Sequence, residues 1–106
     1  LQVNTSGEAT KSGFAPGAVV EAAGAVAALP RLRLRGLMAI PEPTADVGAQ
    51  RAAHRALRAL FDAVVATGLP LDTLSAGMSD DLEAAIAEGS TMVRVGSAIF
   101  GARPAA

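Results

Sequence analysis

With 106 residues, the chain has the length of one small domain. Its net charge of −1 and its lack of Trp and Tyr speak against a nucleic-acid surface, which needs basic excess and stacking groups. The absence of cysteine excludes disulfides, thiolate chemistry and Cys-based metal sites, and a lone His argues against zinc. The hydrophobic share is 51%, but 25 of the residues are alanine, so large core side chains are in modest supply. No apolar run approaches the ~20 residues a membrane helix needs, and no basic-then-apolar leader opens the chain. A cytoplasmic location without membrane attachment is therefore the expectation. The start Leu1-Gln-Val-Asn4 reads as the middle of a strand, as though from a longer protein.

The first strand is expected over residues 1–5. A polar, glycine-bounded loop follows and holds Lys11, the single lysine. Solvation, or a pairing with Glu8, is the ordinary fate of such a lysine; the rival is a Schiff-base role, which needs desolvation that the loop does not suggest. A helix is expected over residues 16–29, with Pro16 at its first position and Val19, Val20, Ala23, Val26 and Ala27 as its apolar stripe. Pro30 stops it.

The second strand spans residues 32–39. Arg31, Arg33 and Arg35 alternate at its start, either as a small basic patch or as a solvated face. Next comes a long helix over residues 45–67, capped by Thr44, with Leu57, Leu60, Phe61, Val64 and Val65 at helical spacing. His54 lies beside Arg51, Arg55 and Arg58 and reads as a surface or semi-exposed residue without a catalytic role. Gly68 and Pro70 end the helix. A third strand over 72–76 leads into a short helix over 80–88, where Asp80 and Glu83 have capping-box spacing and Gly89 is the stop. The fourth strand spans residues 92–96, and the tail 102–106 is expected to fray.

The order β-α-β-α-β-α-β implies right-handed crossovers and a parallel sheet. No repeat, low-complexity tract or linker interrupts residues 1–106, which read as a single partial domain. Four strands cannot close a barrel, and both outer strands expose unpaired edges. The α/β choices are an open sheet or half of a (β/α)₈ barrel, and the mid-strand start favours the half.

Two stretches carry the chemistry. Leu74-Ser-Ala-Gly-Met-Ser-Asp-Asp81 and Thr91-Met-Val-Arg-Val-Gly-Ser-Ala-Ile-Phe-Gly101 each read as a strand ending in a small-residue turn. In (β/α)₈ barrels the loops after the last two strands often hold phosphate. Ser79 offers a hydroxyl and an amide, Met78 an amide, Gly96 close backbone approach, and Ser97 an amide and a hydroxyl. Ordinary capping by Ser79 and close strand packing at Gly96 is the alternative. Asp80, Asp81 and Glu83 would repel a dianion unless they face away from it. Arg94 could pair with Glu83 or Asp72, reach solvent, or donate to a ring nitrogen or an anion.

At these residues the chain resembles the C-terminal half of the YggS/PROSC-type pyridoxal 5′-phosphate homeostasis proteins, single-domain relatives of the alanine racemase barrel. The matching stretches are Gln2-Val-Asn-Thr5 with Lys11-Ser-Gly13, and Arg31-Leu-Arg-Leu-Arg-Gly-Leu-Met-Ala-Ile-Pro41. Leu74 through Glu83 and Gly89 through Arg103 complete the match. The resemblance implies a (β/α)₈ barrel of which this chain is similar to strands five to eight. It implies pyridoxal 5′-phosphate as cofactor, held at Met78 and Ser79 after the seventh strand and at Gly96 and Ser97 after the eighth. Arg94 resembles the arginine that faces the pyridine nitrogen, where a cation weakens the ring as an electron sink. The family's Schiff-base lysine lies on an early strand and is absent from this chain; Lys11 does not occupy its position.

The resemblance therefore implies a non-catalytic carrier and regulator of the cofactor, with pyridoxal-phosphate-dependent apoenzymes as partners. A second reading is half of a fold-type III racemase or decarboxylase; the stop at Arg103-Pro-Ala-Ala106, without a following β domain, counts against it. A third is a stray half-barrel that self-associates through its open edges.

Overall fold

The computed structural model describes residues 1–6 and 12–101. Strands β1 (Gln2–Val3), β2 (Gly36–Ala39) and β3 (Thr73–Ser75) form one parallel sheet in the order β1-β2-β3. Val3 sits opposite Ala39, and Leu37 opposite Leu74. At Gly36 an added Cβ would lie 1.5 Å from the Thr73 carbonyl oxygen, so β2 and β3 approach too closely for any side chain there.

The fourth expected strand is reduced to a single parallel bridge, Ser75 with Met92. Side chains explain the shortfall. The Thr91 hydroxyl accepts from the Leu74 amide at 2.8 Å, and the Ser90 hydroxyl lies 2.7 Å from the Ala76 carbonyl. Two ladder groups of the β3 segment are thus taken by side chains, not by backbone. The second expected strand also starts late. Arg31 adopts φ 66° after Pro30, Leu32 is turned to solvent, and pairing begins where the Arg35 carbonyl accepts from Asp72 and Thr73.

Helix α1 (Val19–Ala27) follows a 3₁₀ turn at Pro16–Ala18, with proline at the expected first position. Val19 and Ala23 are buried four residues apart, whereas Val20 is exposed. Helix α2 (Val47–Ala66) is capped by Asp46 rather than Thr44: its carboxylate accepts from the Gly48 amide at 2.9 Å and from Ala49 at 3.3 Å. Thr44 instead accepts from the Asp46 amide. Helix α3 (Leu82–Ala87) has no side-chain cap, so the Asp80–Glu83 capping box does not form. Helix α4 (Ser97–Phe100) closes the described chain.

Burial alternates along the strands, with Val3, Leu37, Ala39 and Leu74 inward and their neighbours half-exposed. The inward set packs on Val19 and Ala23 of α1 and on Leu57, Phe61 and Val64 of α2. Val65, expected in the α2 stripe, is exposed. At the far end of α2, Arg51 and Arg55 both reach Glu88, tying α2 to the end of α3 and holding the Glu88 carboxyl below its ordinary range, chiefly through the Arg55 hydrogen bond. Among the described residues no helix is long and apolar enough to cross a membrane.

Candidate anion cleft at the strand ends

A cleft of about 1250 Å³ opens beyond the carboxyl ends of β2 and β3. Its walls are the segment after β2 with the start of α2, the turn after β3 with the start of α3, and the segment around α4. Parallel strands place their connecting loops here, which is where α/β proteins usually bind ligands.

The turn after β3 is fixed from several sides. Gly77 adopts φ +102°, and a Cβ there would fall 2.7 Å from the Ala85 Cβ and 3.2 Å from Val93. Its carbonyl accepts from the Arg94 amide at 2.8 Å. One Asp81 carboxylate oxygen accepts from the Met78 amide at 2.8 Å, and the other lies 2.9 Å from His54 Nε2. Met78 therefore does not offer a free amide, contrary to expectation. Its side chain is exposed at the cleft.

His54 is also not the surface or semi-exposed residue expected; it is 3% exposed. The signal was available in the spacing, since residues 54, 57, 61 and 64 fall on one helix face and all four are buried.

Ser79 joins the two turns. Its hydroxyl oxygen accepts from the Ala98 amide at 3.0 Å, which leaves its own hydrogen to donate. The Ser79 and Ser97 amides have no protein acceptor among the described residues. Gly96 does not mark tight packing: an added Cβ would meet nothing within 4 Å, and Gly96 faces open cleft. Met78, Ser79, Gly96 and Ser97 thus all border one space.

Arg94 does not line that space but reaches its rim. Its Nη2 donates to the carbonyl of Ala39, a lining residue, at 3.0 Å. Its Nε is buried with no acceptor, a state that costs about 1–3 kcal/mol. Neither suggested ion pair forms: Asp72 is bonded to Arg35 at 2.8 Å, and Glu83 lies exposed on α3. Glu42, Asp80 and Glu83 also border the cleft, and no Lys or Arg lines it among the described residues. No cluster of three metal-ligating side chains occurs among the described residues. Lys11 and Arg103 lie outside the described residues.

Residues 1–104 match the family of the alanine racemase N-terminal domain. The chain belongs to that family. Within it, the chain is 64% identical over 103 residues to the pyridoxal phosphate homeostasis protein of Pseudomonas aeruginosa, covering 97% of this chain and 44% of that one. It is 54% identical to the protein of that name from Escherichia coli, with the same coverage. The chain thus spans under half the length of the curated relatives it matches. Among solved structures, a protein of unknown function from Bifidobacterium adolescentis superposes with a TM-score of 0.88 at 42% identity, over 94% of this chain and 41% of that one. PipY of Synechococcus elongatus, solved with PLP bound, superposes with a TM-score of 0.78 at 30% identity, over 95% and 48%. Family members therefore share this α/β fold with its parallel sheet.

Proposed function

We propose that the chain supplies the phosphate-binding wall of a pyridoxal 5′-phosphate site in a cofactor-homeostasis protein, which binds and delivers the cofactor without turning over a substrate. The observation that carries the reading is the Ser79–Ala98 link: it sets the Ser79 and Ser97 amides, both without protein acceptors, beside one cleft. A phosphate dianion needs several donors and close backbone approach. Ser79 O–H, two amides and the open space at Gly96 meet that need. The unpartnered Arg94 Nε adds a donor at the rim, suited to a ring nitrogen or an anionic oxygen.

The bound group supplies an electrophilic aldehyde and an electron-accepting ring. This chain's residues hold its phosphate end. Residues 1–106 are then a partial domain, a portion of a (β/α)₈ barrel equivalent to strands five to eight. Among the described residues, the one-sided packing, the single outer bridge from β1 to Phe14 and the single bridge at Met92 support that assignment. Apoenzymes that take up pyridoxal phosphate are the partners this reading calls for. The names of the relatives and the PLP-bound neighbour support it.

The test is a titration of the chain with pyridoxal 5′-phosphate followed at individual backbone amides. Ser79, Gly96 and Ser97 are expected to shift, saturably and weakly, with no stoichiometric lysine adduct by mass spectrometry. Unmoved amides at all three positions, or a full adduct on Lys11, would overturn the reading.

A further inference from the structure

His54 is a buried titratable side chain that takes no direct part in the cleft. It sits mid-helix on α2, 3% exposed, in line with Leu57, Phe61 and Val64. An apolar residue would suit that stripe better, because burying an imidazole is unfavourable unless it is hydrogen-bonded. Its partner is the Asp81 carboxylate at 2.9 Å. An ionised carboxylate only accepts, so the shared proton belongs to Nε2.

Asp81 borders the cleft, yet both carboxylate oxygens are held by protein donors, His54 on one side and the Met78 amide on the other. The Asp81 amide returns a bond to the Met78 carbonyl at 3.2 Å, closing the turn around Ser79. Ser79 in turn holds the Ala98 amide. Four residues earlier on α2, Gln50 Nε2 donates to the Thr44 carbonyl at 2.8 Å and reaches the Asp80 carbonyl at 3.4 Å. Positions 50 and 54 share a helix face, so α2 grips the same turn at two successive levels.

We propose that His54 is a positioning residue for the anion-holding turn, a role that rests on reading the cleft as a phosphate site. Its action has two parts. It fixes the geometry of residues 78–81, and through Ser79 that of the Ala98 amide. It also keeps the Asp81 charge bonded inward. A freed Asp81 would join Glu42, Asp80 and Glu83 around the cleft and oppose a dianion. A buried side chain of a helix that supports the fold thereby also sets the affinity of a site that His54 itself does not line.

The experiment compares the chain with His54→Leu and His54→Gln. Amide hydrogen exchange is read at Met78, Ala98 and Leu37, and affinities are read for pyridoxal 5′-phosphate and inorganic phosphate. His54→Leu should speed exchange at Met78 and Ala98 about tenfold while Leu37, in β2, stays unchanged, and should weaken both ligands about five- to tenfold. His54→Gln keeps a donor and should recover most of both losses. In the unsubstituted chain, the Nε2 proton should exchange slowly, and more slowly with ligand bound. Retained ligand binding in His54→Leu with exchange at Met78 and Ala98 within twofold overturns the role of His54 alone. So does a Gln variant no better than Leu, or an Nε2 proton exchanging at the solvent rate if the Leu variant does not fold. Unmoved Ser79 and Ser97 amides in the unsubstituted chain with either ligand overturn the cleft reading, and this one with it.

Discussion

The two turns that face each other across the cleft are built in opposite ways. The turn after β3 is over-determined: Gly77 is packed against Ala85 and Val93, Met78 is bonded to Asp81, and Asp81 to buried His54. The turn into α4 is loosely held. Gly96 faces empty space, Ile99 and Phe100 are largely exposed, and the Ala98–Ser79 hydrogen bond is its link to the rigid side. The contrast teaches how an anion site can be shared: one turn is pre-organised, and the other is aligned to it through one serine.

The largest expected effect breaks the comparison at its two glycines. Gly77→Ala should destabilise the chain by roughly 2–4 kcal/mol in urea unfolding, from left-handed backbone strain plus overpacking. Gly96→Ala should stay within about 0.5 kcal/mol of the parent while weakening pyridoxal phosphate, since its methyl projects into the cleft. Equal costs at both positions would refute the difference in rigidity.

Ser79→Ala comes next. Losing the acceptor of the Ala98 amide should cost about 1 kcal/mol. It should also speed exchange at Ala98 more than at Met78, because the Asp81 bond survives. Pyridoxal phosphate affinity should drop about tenfold in the same variant.

Arg94→Met removes both the bond to Ala39 and the unpartnered Nε, two changes of opposite sign, so stability should move by less than about 1 kcal/mol. Affinity for pyridoxal phosphate should fall further than affinity for inorganic phosphate if Arg94 serves the ring rather than the phosphate. A parallel fall would assign it to the phosphate.

The smallest effect lies at the opposite end of the sheet. Asp72 is held down to about 2 from 3.8, first by the Arg35 hydrogen bond and then by Thr73. Its folded-state value is depressed, so the stability it adds is present above 3.8 and is lost as pH falls from there toward 2. Asp72→Asn should flatten that acid limb slightly and leave the cleft unaffected, because the pair is exposed.

Much of this was legible in the chain itself. Pro16, Pro30, Gly68 and Gly89 bracket the helices close to where they occur, because backbone restriction is local. The small-residue turns at Met78-Ser79 and Gly96-Ser97 were legible too, and the fold brings them to one cleft. Less visible was what side chains do to backbone. Asp46 out-competed Thr44 as cap by lying two residues closer to the helix start, directly before Val47. Ser90 and Thr91 took two groups from the ladder of an expected strand and left it as one bridge. The burial of His54 was readable from its 54-57-61-64 spacing, but three neighbouring arginines masked it. Those arginines point elsewhere, two to Glu88 and one to Asp62.

Local chemistry in the sequence determined the alternation of strands and helices, the parallel arrangement that follows from it, and the residue types at the two turns. Periodicity, proline geometry and small-residue turns act over a few residues and need no distant partner. Only the tertiary structure decided which donors remain free: Met78 is spent on Asp81, Ser79 spans to Ala98 nineteen residues away, and Arg94 turns to Ala39 with one nitrogen unpaired. Hydrogen-bond satisfaction is a count over neighbours in space, and those neighbours are set by how α2 and α3 pack on the sheet.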